Sequence, residues 1–233
     1  MAVHGLLAGL CPLIPVPFLD DRALTAVRRG MVRTLARERG VTLSSVQVDY
    51  LAGTYRAPRG CLAWTGALAV ALTLTLGKKL FRKVLIFLAV KESADTASRV
   101  LHEGYLVHVL LDPAIAATRA PAGDAEAWRA RRALEATVAD ADPRPVEQAI
   151  RRTFRGSRGA LRRAARGLGR AIQRNRGRLD PEQAVSGEAS LRSLVDRLTA
   201  ELWQERGYWT ALERDFARRL AGTATERGVQ DPR

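Results

Sequence analysis

Apolar and polar positions follow the spacing of α-helices along most of this chain, and strand-like runs are scarcely present. After a bent apolar segment at residues 3–19, apolar side chains recur every three or four positions between Leu24 and Leu35, and Gly40 follows as a helix stop. The same spacing returns from Leu191 to Leu220. The pattern predicts an all-α protein, a multi-helix bundle of about seven helices.

The most apolar part of the chain extends from Gly60 to Val90. Residues 60–77 are 18 uncharged amino acids, residues 78–83 are mostly cationic, and residues 84–90 are apolar again. A helix of this length extends over about 27 Å, slightly less than the hydrocarbon core of a bilayer. Residues 60–77 are therefore a borderline transmembrane helix, and a buried core helix and an interfacial or re-entrant insertion are the alternatives. The second apolar run is too short to span, so we do not expect a two-pass hairpin.

Local end signals predict individual helix boundaries. Ser44 followed by Gln47 has the capping-box pattern, so we expect a short helix from Ser44 to Ala52, closed by Gly53. Asp142-Pro143 predicts another helix start, with the aspartate as cap and the proline at the first helical position. Between these two starts, residues 124–139 have helical character, with Trp128 as the expected anchor.

A segment rich in alanine, proline and glycine divides the helical pattern at residues 113–123. We expect an apolar, membrane-associating helical domain at residues 1–112 and a linker at 113–123. A basic amphipathic helical region at 124–222 and a disordered tail at 223–233 follow.

Charge adds a functional expectation to this picture. The formal net charge is +14 at pH 7 and the isoelectric point is near 11.1, which favours nucleic acid, acidic lipid headgroups or an acidic protein as partner. All four lysines of the chain lie between Lys78 and Lys91. The cations directly after the apolar run form what we call the basic collar: Lys78, Lys79, Arg82 and Lys83.

A second basic stretch extends from Arg151 to Arg178, with eleven arginines, no acidic residue and an apolar stripe. It could lie on anionic lipid, follow a phosphate backbone, or pack its stripe and leave a solvated basic face. Phe154 is its one aromatic residue, which argues against stacking on single-stranded bases. We expect packing combined with attraction to an anionic surface. The arginines concerned are Arg151, Arg152, Arg155, Arg162, Arg163, Arg166 and Arg170.

Candidate chemistry is sparse. Asp95, His102 and His108 form a polar cluster on one predicted helix, where Asp95 is placed to pair with Arg99 and Ser98 to reach His102. No metal-ligand spacing, Gly-rich phosphate loop or GxSxG motif is present. We therefore predict no metal, no cofactor, no small-molecule substrate and no catalytic residue. Cys11 and Cys61 lie in apolar surroundings, as buried thiols do.

One stretch of about 30 residues carries a resemblance to known families. The sequence Pro15-Val16-Pro17-Phe18-Leu19-Asp20-Asp21 precedes an arginine-rich helix that ends in Leu35, Ala36 and Gly40. It resembles the Pro-x-Pro-Gly-x-Asp motif of the EcsC-like and YcjF-like bacterial membrane-associated families, with Phe18 in place of the glycine. The resemblance implies membrane association and no catalytic residues.

These observations lead to three functional hypotheses. The first is a non-enzymatic bacterial protein on the cytoplasmic face of the inner membrane, peripheral or single-pass, held by residues 60–90 and the basic collar. The second is a soluble, cytoplasmic nucleic-acid-binding protein that uses residues 151–178. The third is an α-helical enzyme with Asp95, His102 and His108 at its site. A protein partner or homo-oligomer is compatible with each.

Overall fold

The computed structural model describes residues 2–13, 19–55, 82–115, 120–155, 157, 159, 161, 163–167 and 189–225. Most of these residues are helical and none of them is in a strand, which confirms the all-α prediction. They form eight α-helices and a short 3-10 helix at Cys11–Leu13, so the expected number of about seven was too low. The helices are α1 Ala2–Leu10, α2 Leu19–Glu38, α3 Ser45–Leu51, α4 Arg82–Leu111, α5 Asp124–Asp140, α6 Arg144–Phe154, α7 Ala189–Gln204 and α8 Arg206–Thr225.

Helix α4 is the central element of the bundle, in contact with α1, α2, α5, α6 and α8. Its buried residues lie on more than one side of the helix: Ala97 and Leu101 on one side, and Val100, Leu106 and Val107 on others. The helix is therefore enclosed by neighbours, which a single-face pattern does not predict.

Helix α1 packs tightly against α4 through Gly5 and Gly9. All residues from His4 to Leu10 are buried. A Cβ atom at Gly9 would lie 3.0 Å from the Cβ of Ala97 and 3.1 Å from the carbonyl oxygen of Ser93. The missing side chain thus allows the two backbones to approach closely.

Several predicted helix ends are confirmed. Ser44 Oγ accepts from the Gln47 N–H at 3.1 Å, and Gln47 Oε1 accepts from the Ser44 N–H at 2.8 Å, which is the full capping box. Gly40 and Gly53 follow α2 and α3 with φ of +66° and +64°, the left-handed region that favours glycine.

One local prediction was wrong, and the structure adds a break that the apolar spacing does not show. Trp128 is 46% exposed, with the Arg132 guanidinium 5.1 Å from its ring centre, so it does not anchor α5 in the core. The apolar stripe from Leu191 to Leu220 is divided between two helices at Glu205, whose N–H bonds back three residues to Leu202. A hydrogen bond to the residue three positions back is typical of a 3-10 turn, and it ends the α-helix even where the apolar spacing continues.

No helix in the described ranges is long and apolar enough to cross a membrane. The predicted central helix at residues 60–77 lies outside those ranges, as do Lys78 and Lys79 of the basic collar. Arg82 and Lys83 lie in the first turn of α4, at the border of the described part.

Candidate functional site

A polar face of α4 opens into a cleft of about 350 Å³ beside α5 and the start of α6. Asp95, Ser98, Arg99 and His102 line it from α4, at the i, i+3, i+4 and i+7 positions that share one helix face. Facing them is a wall of Val138, Ala139, Ala141 and Pro143, with carboxylates contributed by Glu135 and Glu147. The cleft therefore combines one charged wall with one apolar wall.

Glu103 lies at the base of this cleft and is only 2% exposed. Its carboxylate oxygens are 3.4 Å from Arg28 Nε, 3.2 Å from Arg99 Nε and 3.2 Å from a terminal nitrogen of Arg131. Arg28 comes from α2 and Arg131 from α5, so one buried acid joins three helices. Burial lowers the pKa of Arg28, and the charge of Glu103 opposes that shift.

Arg131 is the most connected of the three arginines. It donates to Glu135 Oε1 at 2.7 Å and to the carbonyl oxygen of Leu51 at 3.1 Å, in addition to Glu103. Its guanidinium also occupies the space where a side chain at Gly53 would lie. The glycine that ends α3 therefore makes room for the cation that neutralises Glu103.

His102 is buried, and both of its ring nitrogens have a hydrogen-bond partner. Its Nδ1 is 2.7 Å from the carbonyl oxygen of Ser98, which can only accept, so Nδ1 carries the proton. Its Nε2 is 2.6 Å from the Tyr208 hydroxyl and accepts from it when the ring is neutral. Burial lowers the pKa of His102, which agrees with the neutral ring, and burial raises the pKa of Tyr208 to about 12.

Tyr208 belongs to an aromatic cluster where α8 meets α4. Trp209 packs 5.4 Å from the His102 ring and 4.8 Å from the Tyr105 ring, measured between ring centres. The Tyr105 hydroxyl donates to Glu213 at 3.0 Å, and burial raises the pKa of Tyr105 to about 12. The cluster holds α8 against α4 by stacking and by hydrogen bonds.

A second, more open cleft of about 520 Å³ is lined by Tyr208, Thr137 and Ala141, together with Arg214, Asp215 and Arg218. Ala141 lines both clefts, and the hydrogen bond between His102 and Tyr208 joins a residue of one to a residue of the other.

The structure brings together two members of the predicted polar cluster. Asp95 and His102 line the first cleft, as their seven-residue step requires. His108 lies elsewhere: its Nε2 is 2.8 Å from one terminal nitrogen of Arg39. The other terminal nitrogen of Arg39 pairs with Asp112 at 2.8 Å. Burial, and then the charge of Arg39, lowers the pKa of His108.

The predicted contacts among neighbours on α4 differ in detail. Arg99 pairs with Glu103 in the following turn, whereas Asp95 was the expected partner. His102 bonds to the backbone oxygen of Ser98, and the Ser98 hydroxyl is not involved. The sequence interpretation missed Glu103 and Tyr208 because their partners are distant in the chain.

The described arginines of the basic stretch are exposed, while its described apolar residues are buried. Arg151 pairs with Glu147, and Arg152 reaches Glu201 and Glu205 on α7. The exposed arginines are Arg151, Arg152, Arg155, Arg163 and Arg166. The buried residues of the same stretch are Phe154, Leu161, Ala164 and Ala165. Arg162 and Arg170 lie outside the described ranges.

No group of metal-ligating side chains occurs among the described residues. Cys11 is buried, and its thiol donates to the Leu7 carbonyl at 3.3 Å; Cys61 lies outside the described ranges. The chain matches no protein-family model, no curated protein and no solved structure. The resemblance to the EcsC-like and YcjF-like families stays a prediction.

Proposed function

We propose that this protein is a non-enzymatic helical protein that binds the anionic surface of a membrane through the basic stretch that begins at Arg151. The observation that carries the proposal is that apolar residues and arginines of the stretch lie in different environments. Phe154 and Leu161 are buried in the core, whereas Arg155 and Arg163 are exposed and form no ion pair with a described residue. The described apolar residues of the stretch therefore pack into the core, and these cations stay at the surface, where they can contact an external anion.

Electrostatics favours attraction over insertion. Each surface cation near an anionic leaflet contributes about 1 kcal/mol, and the attraction is screened by salt. The described apolar residues of the stretch are buried, so they are not available to enter the hydrocarbon region. Trp203, 71% exposed on α7, is the most exposed of the large apolar side chains described, and is suited to the headgroup level.

The basic collar and residues 60–90 form the second part of the proposal. Lys78, Lys79, Arg82 and Lys83 would add four cations next to the longest apolar run of the sequence. The cytoplasmic face of the inner membrane is the location that this proposal implies.

Vesicle co-sedimentation tests the proposal. We expect the full chain to sediment with vesicles of phosphatidylglycerol and phosphatidylcholine, to stay in solution with pure phosphatidylcholine, and to dissociate at about 0.5 M salt. The double variant Arg155→Gln/Arg163→Gln should bind about tenfold more weakly. Arg144→Gln/Arg218→Gln is the matched control, because it removes the same charge from two other exposed positions. Equal weakening in both double variants, or no sedimentation with anionic vesicles, would refute the proposal.

Nucleic-acid binding is the second candidate, since Arg151 and Arg155 lie one turn apart on the same exposed face of the chain. Salt-dependent binding to duplex DNA that is lost in Arg155→Gln/Arg163→Gln, together with no binding to anionic vesicles, would favour this function over the first.

A further inference from the structure

Helix α2 presents a row of arginines on its outer side. Arg22, Arg29, Arg33 and Arg37 follow one another at steps of seven, four and four residues, which places them on one side of a helix with 3.6 residues per turn. Arg22, Arg33 and Arg37 are exposed. Met31 is nine residues, or two and a half turns, after Arg22, and it is buried on the opposite side. We call this row of four arginines the α2 basic face.

Two cations of the α2 basic face have no acidic partner. Between Arg22 and Arg37 the sequence contains five arginines and no acidic residue. Arg29 donates to Asp49 Oδ2 at 2.9 Å, whereas Arg22 and Arg33 form no ion pair with a described residue. The charges of Arg22 and Arg33 are therefore at the surface, where they can attract an external anion.

An exposed aromatic pair lies beside the middle of this face. The Arg29 Nε donates to Thr54 Oγ1 at 3.1 Å, and the next residue, Tyr55, is 45% exposed. Its ring stacks on that of Tyr50, with 4.3 Å between the ring centres. Tyrosine is enriched at the headgroup level of membranes, because its ring is apolar and its hydroxyl is polar. Cations beside an exposed tyrosine fit a lipid surface, whereas the phosphate backbone of a nucleic-acid duplex needs only the cations.

The α2 basic face and the basic stretch that begins at Arg151 lie on opposite sides of α4. A Cβ atom at Gly104 of α4 would lie 2.6 Å from the sulfur of Met31, so this side of α4 packs against α2. Asp95 of α4 lines a cleft together with Glu147 of α6. Because Asp95 and Gly104 are nine residues apart, they point to opposite sides of α4. The exposed arginines on the outer sides of α2 and α6 therefore face in opposite directions.

We propose that the α2 basic face binds a second anionic lipid surface, so that one molecule connects two membranes. Arg22 and Arg33 contact lipid phosphates, and Tyr55 lies among the headgroups. This role rests on the proposed function, because the basic stretch that begins at Arg151 supplies the contact with the first membrane.

Vesicle clustering, followed by turbidity, measures this connection. We expect the full chain to cluster vesicles of phosphatidylglycerol and phosphatidylcholine at low salt, and to leave vesicles of pure phosphatidylcholine dispersed. Arg22→Gln/Arg33→Gln should lower the initial rate of clustering about tenfold, while the protein still sediments with the anionic vesicles. Arg144→Gln/Arg218→Gln is the matched control, because it removes the same charge from exposed positions outside both faces and should leave clustering unchanged.

A combined variant separates the two faces. In Arg155→Gln/Arg163→Gln, the remaining sedimentation with anionic vesicles depends on the α2 basic face, so the further change Arg22→Gln/Arg33→Gln should remove it. Circular dichroism should show the same helix content in every variant, because the substituted side chains are exposed.

Three results would overturn the proposal. The first is sedimentation with anionic vesicles without clustering. The second is clustering that Arg22→Gln/Arg33→Gln leaves unchanged, which would assign it to two copies of the chain bound to each other. The third is equal loss of clustering in the control variant, which would indicate attraction by net charge alone.

Failure of the proposed function would give a different result. Arg155→Gln/Arg163→Gln would then sediment with anionic vesicles as the unmodified chain does, while the loss in Arg22→Gln/Arg33→Gln would still support lipid binding by the α2 basic face.

Discussion

At the scale of single residues, the hydrogen bonds of His102 make stability depend on pH. The neutral ring donates through Nδ1 to Ser98 and accepts at Nε2 from Tyr208, and protonation would turn that acceptor into a donor. Burial lowers the pKa of His102 in the folded state, and the pKa of His108 is lowered as well. An unfolded histidine titrates at about 6.5.

We therefore expect the free energy of unfolding to fall as the pH decreases from about 7 to about 5. In this window the unfolded chain takes up protons that the folded histidines do not bind, which favours unfolding. Urea denaturation followed by circular dichroism measures the effect. The slope should be smaller in His102→Gln and smaller again in His102→Gln/His108→Gln. An unchanged slope in the double variant would show that other groups cause the dependence.

Helix ends could be predicted from the sequence where they depend only on residues that are neighbours in the chain. The capping box at Ser44 and the left-handed glycines Gly40 and Gly53 depend on a few neighbouring residues, and they were predicted correctly. The pair of Asp95 with Arg99 was also a local prediction and was wrong, because Glu103 competes for the same guanidinium and is buried beside two further arginines. Sequence spacing does not show which of two carboxylates will be buried.

At the scale of helices, the contact between α1 and α4 depends on the small size of Gly9. We expect Gly9→Val to lower the free energy of unfolding by about 1–3 kcal/mol, because its side chain would overlap the Ala97 Cβ and the Ser93 carbonyl oxygen. Chemical denaturation measures the change. Gly222→Ala in α8 is the control: no atom lies within 4 Å of the added Cβ, so it should stabilise the helix by about 0.5–1 kcal/mol. Equal stability of Gly9→Val and the unmodified chain would disprove the close packing.

Helix types were easier to predict than helix environments. The expected helix at residues 124–139 is found as Asp124–Asp140, because charged and apolar positions along it have a clear 3.6-residue period. Helix α4, in contrast, is buried on several sides. The apolar period of a sequence indicates one buried face of a helix, so it does not predict that a helix lies at the centre of a bundle. The exposure of Trp128 and the break at Glu205 could not be predicted from local patterns either.

At the scale of the whole molecule, helices from before and after the predicted linker at residues 113–123 share one hydrophobic core. Helix α4 contacts α5, α6 and α8, and α1 contacts α7. The division into domains at 1–112 and 124–222 stays a prediction, and Glu103 offers a way to test it. Its partner Arg28 precedes the linker, and its partner Arg131 follows it.

We expect Glu103→Gln to lower the free energy of unfolding by about 3 kcal/mol, because it leaves Arg28 and Arg131 close together in the interior without their shared acid. Glu147→Gln is the matched control, since its partner Arg151 is exposed and such a pair contributes less than about 1 kcal/mol.

The Glu103→Gln variant also tests whether the chain unfolds as one unit. Circular dichroism reports the helices of the whole chain, and tryptophan fluorescence reports chiefly the part after the linker, where Trp128, Trp203 and Trp209 lie. If the two parts fold as one unit through Glu103, both measurements should give one transition at the same urea concentration, shifted equally by Glu103→Gln. Two separate transitions, with only one of them moved by the substitution, would instead establish two independent domains.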